Sequence, residues 1–311
     1  MKSKSLLIIG GSGFIGKSII SFLLSSDFSK IKINKIFILS RGKLNINLKN
    51  IKLKKKIKII KINFDLLKIK ELPITDYVIY AAILKNFNKD HEAVKNYTYL
   101  AKKYHFKSKI LYLSSGAVYG KLPKNKLGFS EDYLKFNKKK NYKYGYKKEY
   151  SIIKLKNEKC FKKLAETGIK ISIARCFTFV GQYLPKNSTF VINEIIKKIL
   201  SKKKIIIKSD YKVVRSFMHA DDMVCWLLEI LNKSNTSCPI YNVGSDDYVD
   251  IRELAFFLGK KYNLNVKTKS LNQNYIDRYF PRIYKAKKEL NLCIKYNSFD
   301  AVQNIIDGQL K

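Results

Sequence analysis

The sequence predicts an α/β protein built on a doubly wound parallel sheet. A short apolar strand at residues 5–9 runs directly into a glycine-rich turn, and apolar runs then alternate with helix-like stretches as far as about residue 176. The 311 residues suffice for one large α/β domain or two smaller ones. A hydrophobic content of 46% and a charged content of 28% are ordinary for globular chains and exclude global disorder.

The elements follow in order from local patterns. Residues 5–9 form an apolar run bounded by glycine, as expected of a buried parallel strand, and residues 14–25 carry apolar side chains at helical spacing. Further strands are predicted at 35–39, 57–62, 77–82, 109–113, 169–174, 204–207, 213–218 and 240–243. Further helices are predicted at 89–104, 142–166, 188–200, 221–232 and from Asp250 to about 262, where Glu253 completes a capping-box-like start.

The charge balance is strongly basic. Lys and Arg number 63 against 24 Asp and Glu, a formal net charge of +39 that attracts polyanions. The lysines are spread over every element, however, so we interpret the excess as compositional and predict no specific nucleic-acid partner. Only six of these cations are Arg, and each is a candidate for a role that Lys cannot fill.

Several classes of protein are excluded. No apolar run reaches the roughly 18 residues of a membrane-spanning helix, so no membrane insertion is predicted. The five Cys include no C-x-x-C pair and the three His are scattered, which predicts neither a disulfide framework nor a metal site. We expect a reducing, cytoplasmic compartment.

The turn Gly10-Gly11-Ser12-Gly13-Phe14-Ile15-Gly16 joins the first strand to the first helix. Glycines permit a sharp turn and a close approach of backbone amides to a pyrophosphate, and the helix N-terminus adds positive potential. This context predicts a dinucleotide site. Its candidate residues are Gly10, Ser12, Gly13, Phe14, Ile15 and Gly16.

The end of the second strand predicts which dinucleotide binds. Ser40 and Arg41 stand where an NAD site usually has an acid for the ribose 2′-hydroxyl. A guanidinium pairs with a 2′-phosphate, so we favour NADP(H) over NAD(H). The predicted cofactor site also includes Asp65, as an adenine contact, with the adjoining Leu66, and the small residues Ala81 and Ala82 at the end of the fourth strand.

A candidate catalytic group follows the fifth strand, which ends in Ser114 and Ser115. Tyr144 and Lys148 are four residues apart and share one face of a predicted helix. A neighbouring ammonium favours the phenolate and moves a tyrosine pKa toward neutrality. We therefore predict Ser115, Tyr144 and Lys148 as the catalytic trio. Ser114, Tyr144 and Lys148 are also assigned to the cofactor site.

Five segments carry a family resemblance: GGSGFIG, SSGAVYG, YGYKK, RSFMHADDM and YNVGSDDYVDIRELA. Together they resemble the extended short-chain dehydrogenase/reductases of the NAD-dependent epimerase/dehydratase family, which act on nucleotide sugars. The resemblance implies a Rossmann-type doubly wound parallel sheet with a smaller C-terminal substrate-binding α/β cap. It divides the chain into 1–175, with parts of 205–245 packing back onto it, and 176–311. It also implies a nucleotide-sugar substrate held by Thr178, Arg215 and Arg278, and a homodimer through the helices at 89–104 and 142–166.

Departures from the family pattern narrow the activity. Gly116 and Ala117 stand where the 4,6-dehydratases carry an Asp-Glu pair, so no acid is available there for elimination. The stretch RCFTFVGQYLP from Arg175 is similar to reductases of the CDP-abequose synthase kind. We therefore expect NADPH-dependent reduction of a 4-keto-(di)deoxy sugar nucleotide. The alternatives are an NAD-dependent nucleotide-sugar 4-epimerase and a non-catalytic dinucleotide- or polyanion-binding module. The identities of the nucleotide and the sugar stay open.

Overall fold

The computed structural model describes residues 4–26, 28, 30–46, 56–63, 65–123, 126–136, 146–185 and 190–310. The strands are β1 (Lys4–Ile9), β2 (Ile33–Leu39), β3 (Lys58–Ile62), β4 (Tyr77–Tyr80), β5 (Lys109–Ser115), β6 (Lys170–Cys176), β7 (Phe179–Val180), β8 (Ile205–Ile207), β9 (Tyr211–Ser216), β10 (Met218–His219), β11 (Ile240–Val243), β12 (Tyr248–Asp250), β13 (Val266–Thr268) and β14 (Asn272–Tyr279). The helices are α1 (Phe14–Ser25), α2 (Phe87–Tyr104), α3 (Tyr133–Phe136), α4 (Tyr146–Ala165), α5 (Val191–Leu200), α6 (Ala220–Asn232), α7 (Ile251–Lys261), α8 (Tyr284–Leu290) and α9 (Ser298–Leu310).

Seven parallel strands form the main sheet in the order β11-β6-β5-β4-β1-β2-β3. Alternate residues of β1 point to opposite faces, as the period of a strand requires. Leu6 and Ile8 join a core with α1 and α6, whereas Leu7 and Ile9 join a core with α2 and α4. The predicted doubly wound Rossmann-type fold is confirmed.

The strand register brings the candidate site residues to one edge of the sheet. Ile9 pairs with both Leu39 and Tyr80, so β1, β2 and β4 end at the same level. Tyr80 pairs with Tyr112, so β5 and β6 run three residues further at the same edge, to Ser115 and Cys176. Ligands of doubly wound sheets bind outside the carboxyl ends of the strands, where the strand order reverses. Here the order reverses between β1 and β4, beside the glycine turn.

A smaller region follows β6. Strand β9 is central in a three-stranded sheet, antiparallel to β12 and parallel to β14, and α5, α7 and α9 enclose a separate apolar core. The sequence patterns predicted α5, α7 and β9 but not β14, α8 or α9. The segment of β14, NQNYIDRY, has no apolar run, because polar and charged residues interrupt its few apolar and aromatic ones.

Two boundaries differ from the prediction. The strand predicted to reach residue 82 ends at Tyr80, and Ala81 makes one further bond from its N–H to the Ile9 carbonyl, at 2.8 Å. The helix predicted from residue 142 is described from Tyr146 onward. Among the described residues, no helix combines the length and apolar character that a membrane crossing needs.

Candidate active site

The glycine turn has the geometry that its sequence predicted. Gly10 has a φ of +88°, and a Cβ there would lie 2.7 Å from the Ala82 Cα. A Cβ on Gly16 would lie 2.5 Å from the Gly11 Cα, so the first turn of α1 packs directly on the loop. At Gly13, which caps α1, the nearest contact of a Cβ would be the Gly10 carbonyl at 3.4 Å. Among the described residues other than its two chain neighbours, no side chain comes within 4 Å of that Cβ position.

A cavity of about 300 Å³ opens beside this turn. It is lined by Gly10, Ser12, Gly13, Leu39, Ser40, Arg41, Gly42, Leu66, Ala81, Ala82, Ile83 and Leu84. The lining combines glycine backbone at a helix N-terminus, small and apolar side chains, and the Arg41 cation just after β2, which suits a dinucleotide. The described residues thus fit a nicotinamide dinucleotide. Phe14 and Ile15, also assigned to the cofactor, lie at the start of α1 and pack against the core.

Ser40 and Arg41 line the cavity, and Asp65 directly precedes the lining residue Leu66. Arg41 is exposed on the cavity wall, and the Ser40 hydroxyl donates to the Gly42 carbonyl at 3.1 Å. Asp65 accepts from the Leu67 N–H at 3.0 Å and so shapes the turn after β3. Arg41 therefore supplies positive charge where β2 ends.

Ser115 is the last residue of β5, and its hydroxyl oxygen accepts from the Ala117 N–H at 3.2 Å. This bond starts a tight 3₁₀ turn over Gly116–Tyr119. Ser114 points to the opposite face of the strand and donates to Glu158 at 2.6 Å. Alternation along β5 therefore directs the two serine side chains to opposite faces of the sheet.

Tyr150 and Lys154, one turn apart on α4, lie beside the carboxyl end of β5, where Tyr150 contacts Ser115 and Lys154 contacts Leu113. Tyr150 hydrogen-bonds with the Ser115 side chain, and burial raises the pKa of Tyr150 to about 12. The Lys154 ammonium lies 5.9 Å from the centre of the Tyr150 ring and is 5% exposed. Burial lowers the pKa of Lys154, and the Asp90 carboxylate partly opposes that effect.

Hydrogen bonds made by three side chains at successive turns of α4 fix this arrangement. Ser151 donates to the Ala117 carbonyl at 2.8 Å, and Lys154 donates to the Leu113 carbonyl at 3.0 Å. Glu158 accepts from Ser114 and is paired bidentately with Arg175 of β6, at 3.0 and 2.8 Å. Because every bond joins α4 to the end of β5 or to β6, the helix cannot shift without breaking several buried polar contacts.

The structure does not place the predicted pair, Tyr144 and Lys148, in the group formed by Ser115, Tyr150 and Lys154. Lys148 has an exposed side chain, and Tyr144 lies outside the described residues, so its assignment stays a prediction. Tyr150 and Lys154 repeat the same Y-x-x-x-K spacing six residues further along the chain. One sequence feature could have distinguished Tyr150 and Lys154 from Tyr144 and Lys148. Glu158 lies four residues after Lys154, on the same face of the helix, and it is an acid that can pair with Arg175, one of only six arginines in the chain.

The residues predicted to hold the substrate lie in the smaller region and the loops beside it. Arg215 pairs with Asp277 at 2.9 Å and also donates to the Asp277 carbonyl. Arg278 donates to the Pro123 carbonyl. Thr178 is half-buried between β6 and β7, and its carbonyl accepts from Met218 at 3.1 Å. Both arginines are half-buried rather than free on the surface.

The chain belongs to the NAD dependent epimerase/dehydratase family, whose model matches residues 6–244. No curated protein sequence matches the chain.

Solved structures share the fold at low sequence identity. A UDP-N-acetylglucosamine 4-epimerase from Methanobrevibacter ruminantium M1 is 20% identical, with a TM-score of 0.77 over 99% of this chain and 100% of that chain. A dTDP-glucose 4,6-dehydratase from Bacillus anthracis str. Ames, in complex with NAD, is 17% identical, with a TM-score of 0.75 over 97% and 95%. MoeE5, in complex with UDP-glucose and NAD, is 18% identical, with a TM-score of 0.77 over 98% of each chain.

Proposed function

We propose that the protein is an NAD(P)-dependent oxidoreductase acting on a nucleotide-activated sugar. The observation that carries this proposal is the convergence of Ser115, Tyr150 and Lys154 at the carboxyl edge of the sheet, the same edge at which the glycine turn and its cavity lie. The family match and the nucleotide-sugar enzymes among the structural neighbours support it.

In this proposal Tyr150 and Lys154 take the roles that the sequence assigned to Tyr144 and Lys148. The bound nicotinamide cofactor supplies or accepts the hydride at the sugar carbon. In reduction, Tyr150 donates its phenol proton to the carbonyl oxygen while that carbon is reduced to an alcohol carbon. Ser115 donates a hydrogen bond to the same oxygen, and the Lys154 ammonium stabilises the phenolate that is left. The raised pKa of Tyr150, about 12, keeps the phenol protonated before reduction.

The finer proposal is NADPH-dependent reduction of a 4-keto-(di)deoxy sugar nucleotide. The exposed Arg41 on the cavity wall, with no acid at the end of β2, supports a 2′-phosphate on the cofactor. Gly116 and Ala117 supply no carboxylate for an elimination, which separates this chain from a dehydratase mechanism. We propose Arg215 and Arg278 as the cations nearest the sugar diphosphate, with Thr178 beside the sugar.

A 4-epimerase is the second candidate, and the 4-epimerase among the structural neighbours supports it. An epimerase removes a hydride and returns it to the opposite face, so it consumes no cofactor. A reductase consumes one equivalent of reduced cofactor for each product formed.

One experiment separates the two candidates. The full chain is incubated with NADPH or NADH and a panel of 4-keto nucleotide sugars, and loss of reduced-cofactor absorbance and product stereochemistry are followed. In parallel, saturated nucleotide sugars are incubated without added reductant and examined for the C4 epimer. Cofactor oxidation supports the reductase, and epimer formation supports the epimerase. If the folded protein does neither, the proposed function is wrong.

Two structural proposals accompany this function. We retain the division at residue 175, with β11 and α6 packing back onto the first part, because β11 pairs with β6 and α6 packs against α1.

We also retain the homodimer through α2 and α4, which adjoin each other through Asp90 and Asn157, at 2.9 Å. Tyr99 is 74% exposed on α2 and would be covered there. Sedimentation equilibrium tests this, and a monomer at micromolar concentration would contradict it.

A further inference from the structure

A buried carboxylate on α2 lies between the cofactor cavity and helix α4. Asp90 is 1% exposed, and a buried charge is costly unless it is hydrogen-bonded and paired. One of its oxygens accepts from the Leu84 N–H at 2.8 Å, and the other accepts from the Asn157 side-chain nitrogen at 2.9 Å. Leu84 lines the cavity, and Asn157 belongs to α4. Asp90 therefore joins the wall of the cavity to the helix that carries Tyr150 and Lys154.

The bond to Asn157 places this carboxylate on the face of α4 that also carries Lys154. The two residues are three apart, so their side chains are neighbours on the helix surface. The Lys154 ammonium is buried as well, and it donates to the neutral Leu113 carbonyl at 3.0 Å. Glu158, one turn further on, is already paired with Arg175 at 3.0 and 2.8 Å. Asp90 is thus the carboxylate placed to balance the charge of Lys154.

Several groups act on Lys154 from the elements around it. Burial lowers the pKa of Lys154, and the Asp90 carboxylate opposes this effect more than the Cys176 thiol of β6 or the Glu158 carboxylate does. The Tyr112 ring of β5 lies 5.2 Å from the ammonium and is neutral. The electrostatics therefore agree with the hydrogen-bond geometry in pointing to Asp90 as the counter-charge.

We propose that Asp90 is a positioning residue for the catalytic group: its carboxylate holds α4 against the cavity wall and balances the charge of the buried Lys154 ammonium. The catalytic roles of Tyr150 and Lys154 rest on the proposed function. Asp90 and Lys154 each have their own hydrogen-bond partners, so the two charges attract each other across the helix face. The low polarity of a buried site strengthens that attraction.

The first test reads the charge of Asp90 from a histidine. An ionised carboxylate only accepts hydrogen bonds, so the Asn157 nitrogen faces Asp90 and the Asn157 oxygen faces Nδ1 of His91, at 2.7 Å. His91 must then carry a proton on Nδ1. A protonated Asp90 would instead donate to the Asn157 oxygen, and the Asn157 nitrogen would turn toward a His91 that carries its proton on Nε2.

Nitrogen NMR of the full chain, which has three histidines, measures this difference. His105 Nε2 faces a backbone carbonyl at 3.0 Å, and His219 Nδ1 accepts from a backbone N–H at 3.2 Å, so both are internal references with the proton on Nε2. At about pH 8.5, where an ordinary imidazole is neutral, His91 should carry its proton on Nδ1. His91→Gln assigns its signals. A proton on Nε2 of His91 overturns the proposal.

The second test asks whether Asp90 and Lys154 depend on each other. Asp90→Asn keeps an oxygen for the Leu84 N–H but removes the charge, and it should lower the urea midpoint of unfolding because it leaves a buried ammonium unbalanced. In the Lys154→Met background the carboxylate is the unbalanced charge. There Asp90→Asn should leave the midpoint unchanged or raise it. Equal losses in the two backgrounds overturn the proposal.

Lys156→Met is the matched control, because Lys156 is an exposed lysine of the same helix. Asp90→Asn should lower the urea midpoint by the same amount with and without it. If Asp90→Asn alone does not fold, recovery of folding by Lys154→Met supports the proposal. Failure of that double variant to fold overturns it.

Turnover connects Asp90 to the proposed function. With an active nucleotide sugar, Asp90→Asn should lower kcat about tenfold and leave KM within about twofold, because Lys154 acts on the phenolate formed during the reaction. An unchanged kcat overturns the positioning role. If the wild type converts no nucleotide sugar, the proposed function fails, yet the His91 proton and the urea midpoints still decide whether Asp90 balances Lys154.

Discussion

The glycine turn and helix α4 both carry short motifs, yet the two motifs differ in how firmly they locate a site. At Gly10 the backbone has a φ of +88° and approaches Ala82 so closely that no side chain fits. The pattern in α4 is only a spacing between two common residue types, in a chain with 21 Tyr and 63 Lys and Arg. A glycine motif thus reports a backbone conformation, whereas a Y-x-x-x-K pair must be located by its packing.

The largest expected effect is at Tyr150, and Tyr144 provides the comparison. Tyr150→Phe removes the proposed acid and should lower kcat by a factor of about 10³ or more, because positioned acid–base groups contribute about 10²–10⁴-fold. Steady-state kinetics with the active cofactor and sugar measures it. Cofactor affinity should change little, since the ring remains in place.

Tyr144→Phe is the control for that measurement. It should leave kcat within about twofold of the wild type if Tyr150 is the proton donor. The opposite pattern, with loss in Tyr144→Phe and full activity in Tyr150→Phe, would restore the assignment made from the sequence and remove the proposed role of Lys154.

A stability measurement tests whether packing places α4. The Arg175–Glu158 pair is buried, with side chains only 4% and 3% exposed, and breaking a buried pair leaves an uncompensated charge. Arg175→Met should lower the free energy of unfolding by about 3–5 kcal/mol. Lys287→Met breaks the exposed pair with Asp246 and should cost less than about 1 kcal/mol. Equal losses in denaturant unfolding would contradict the idea that the buried pair fixes the helix.

The contrast between a backbone motif and a pair placed by packing also explains which parts of the fold and the site the sequence predicts. The seven-stranded sheet follows from apolar runs such as Leu6–Ile9, because buried parallel strands need continuous apolar residues. The apolar pattern does not predict strand β14, because most of its residues are polar or aromatic and the strand is held by pairing with β9. The sequence also does not single out Tyr150 and Lys154. Their position beside Ser115 depends on contacts of α4 with distant residues at the end of β5 and in β6, and spacing along the chain does not encode such contacts.

A substitution at Gly10 tests whether the glycine turn requires its backbone conformation. Gly10→Ala forces a Cβ into the Ala82 backbone at a positive φ and should cost about 1–3 kcal/mol of stability. Cofactor affinity, measured by calorimetry, should fall by about tenfold or more as the turn is displaced. Gly308→Ala is the matched control: it lies in α9 with nothing within 4 Å of its Cβ, and should stabilise by about 0.5–1 kcal/mol. A tolerated Gly10→Ala would show that the turn does not need glycine.

The smallest expected effect concerns Arg41, which the turn presents on the cavity wall. A guanidinium that pairs with the 2′-phosphate contributes to NADPH binding and not to NADH binding, since NADH carries a hydroxyl there. Arg41→Ala should therefore weaken NADPH by about tenfold and NADH by less than about twofold, measured by fluorescence titration of each cofactor. Lys43→Ala, two residues further along and also exposed, controls for general loss of positive charge and should weaken both cofactors slightly and equally. Equal losses in Arg41→Ala, or tighter binding of NADH by the wild type, would instead favour NAD, the cofactor named for two of the structural neighbours.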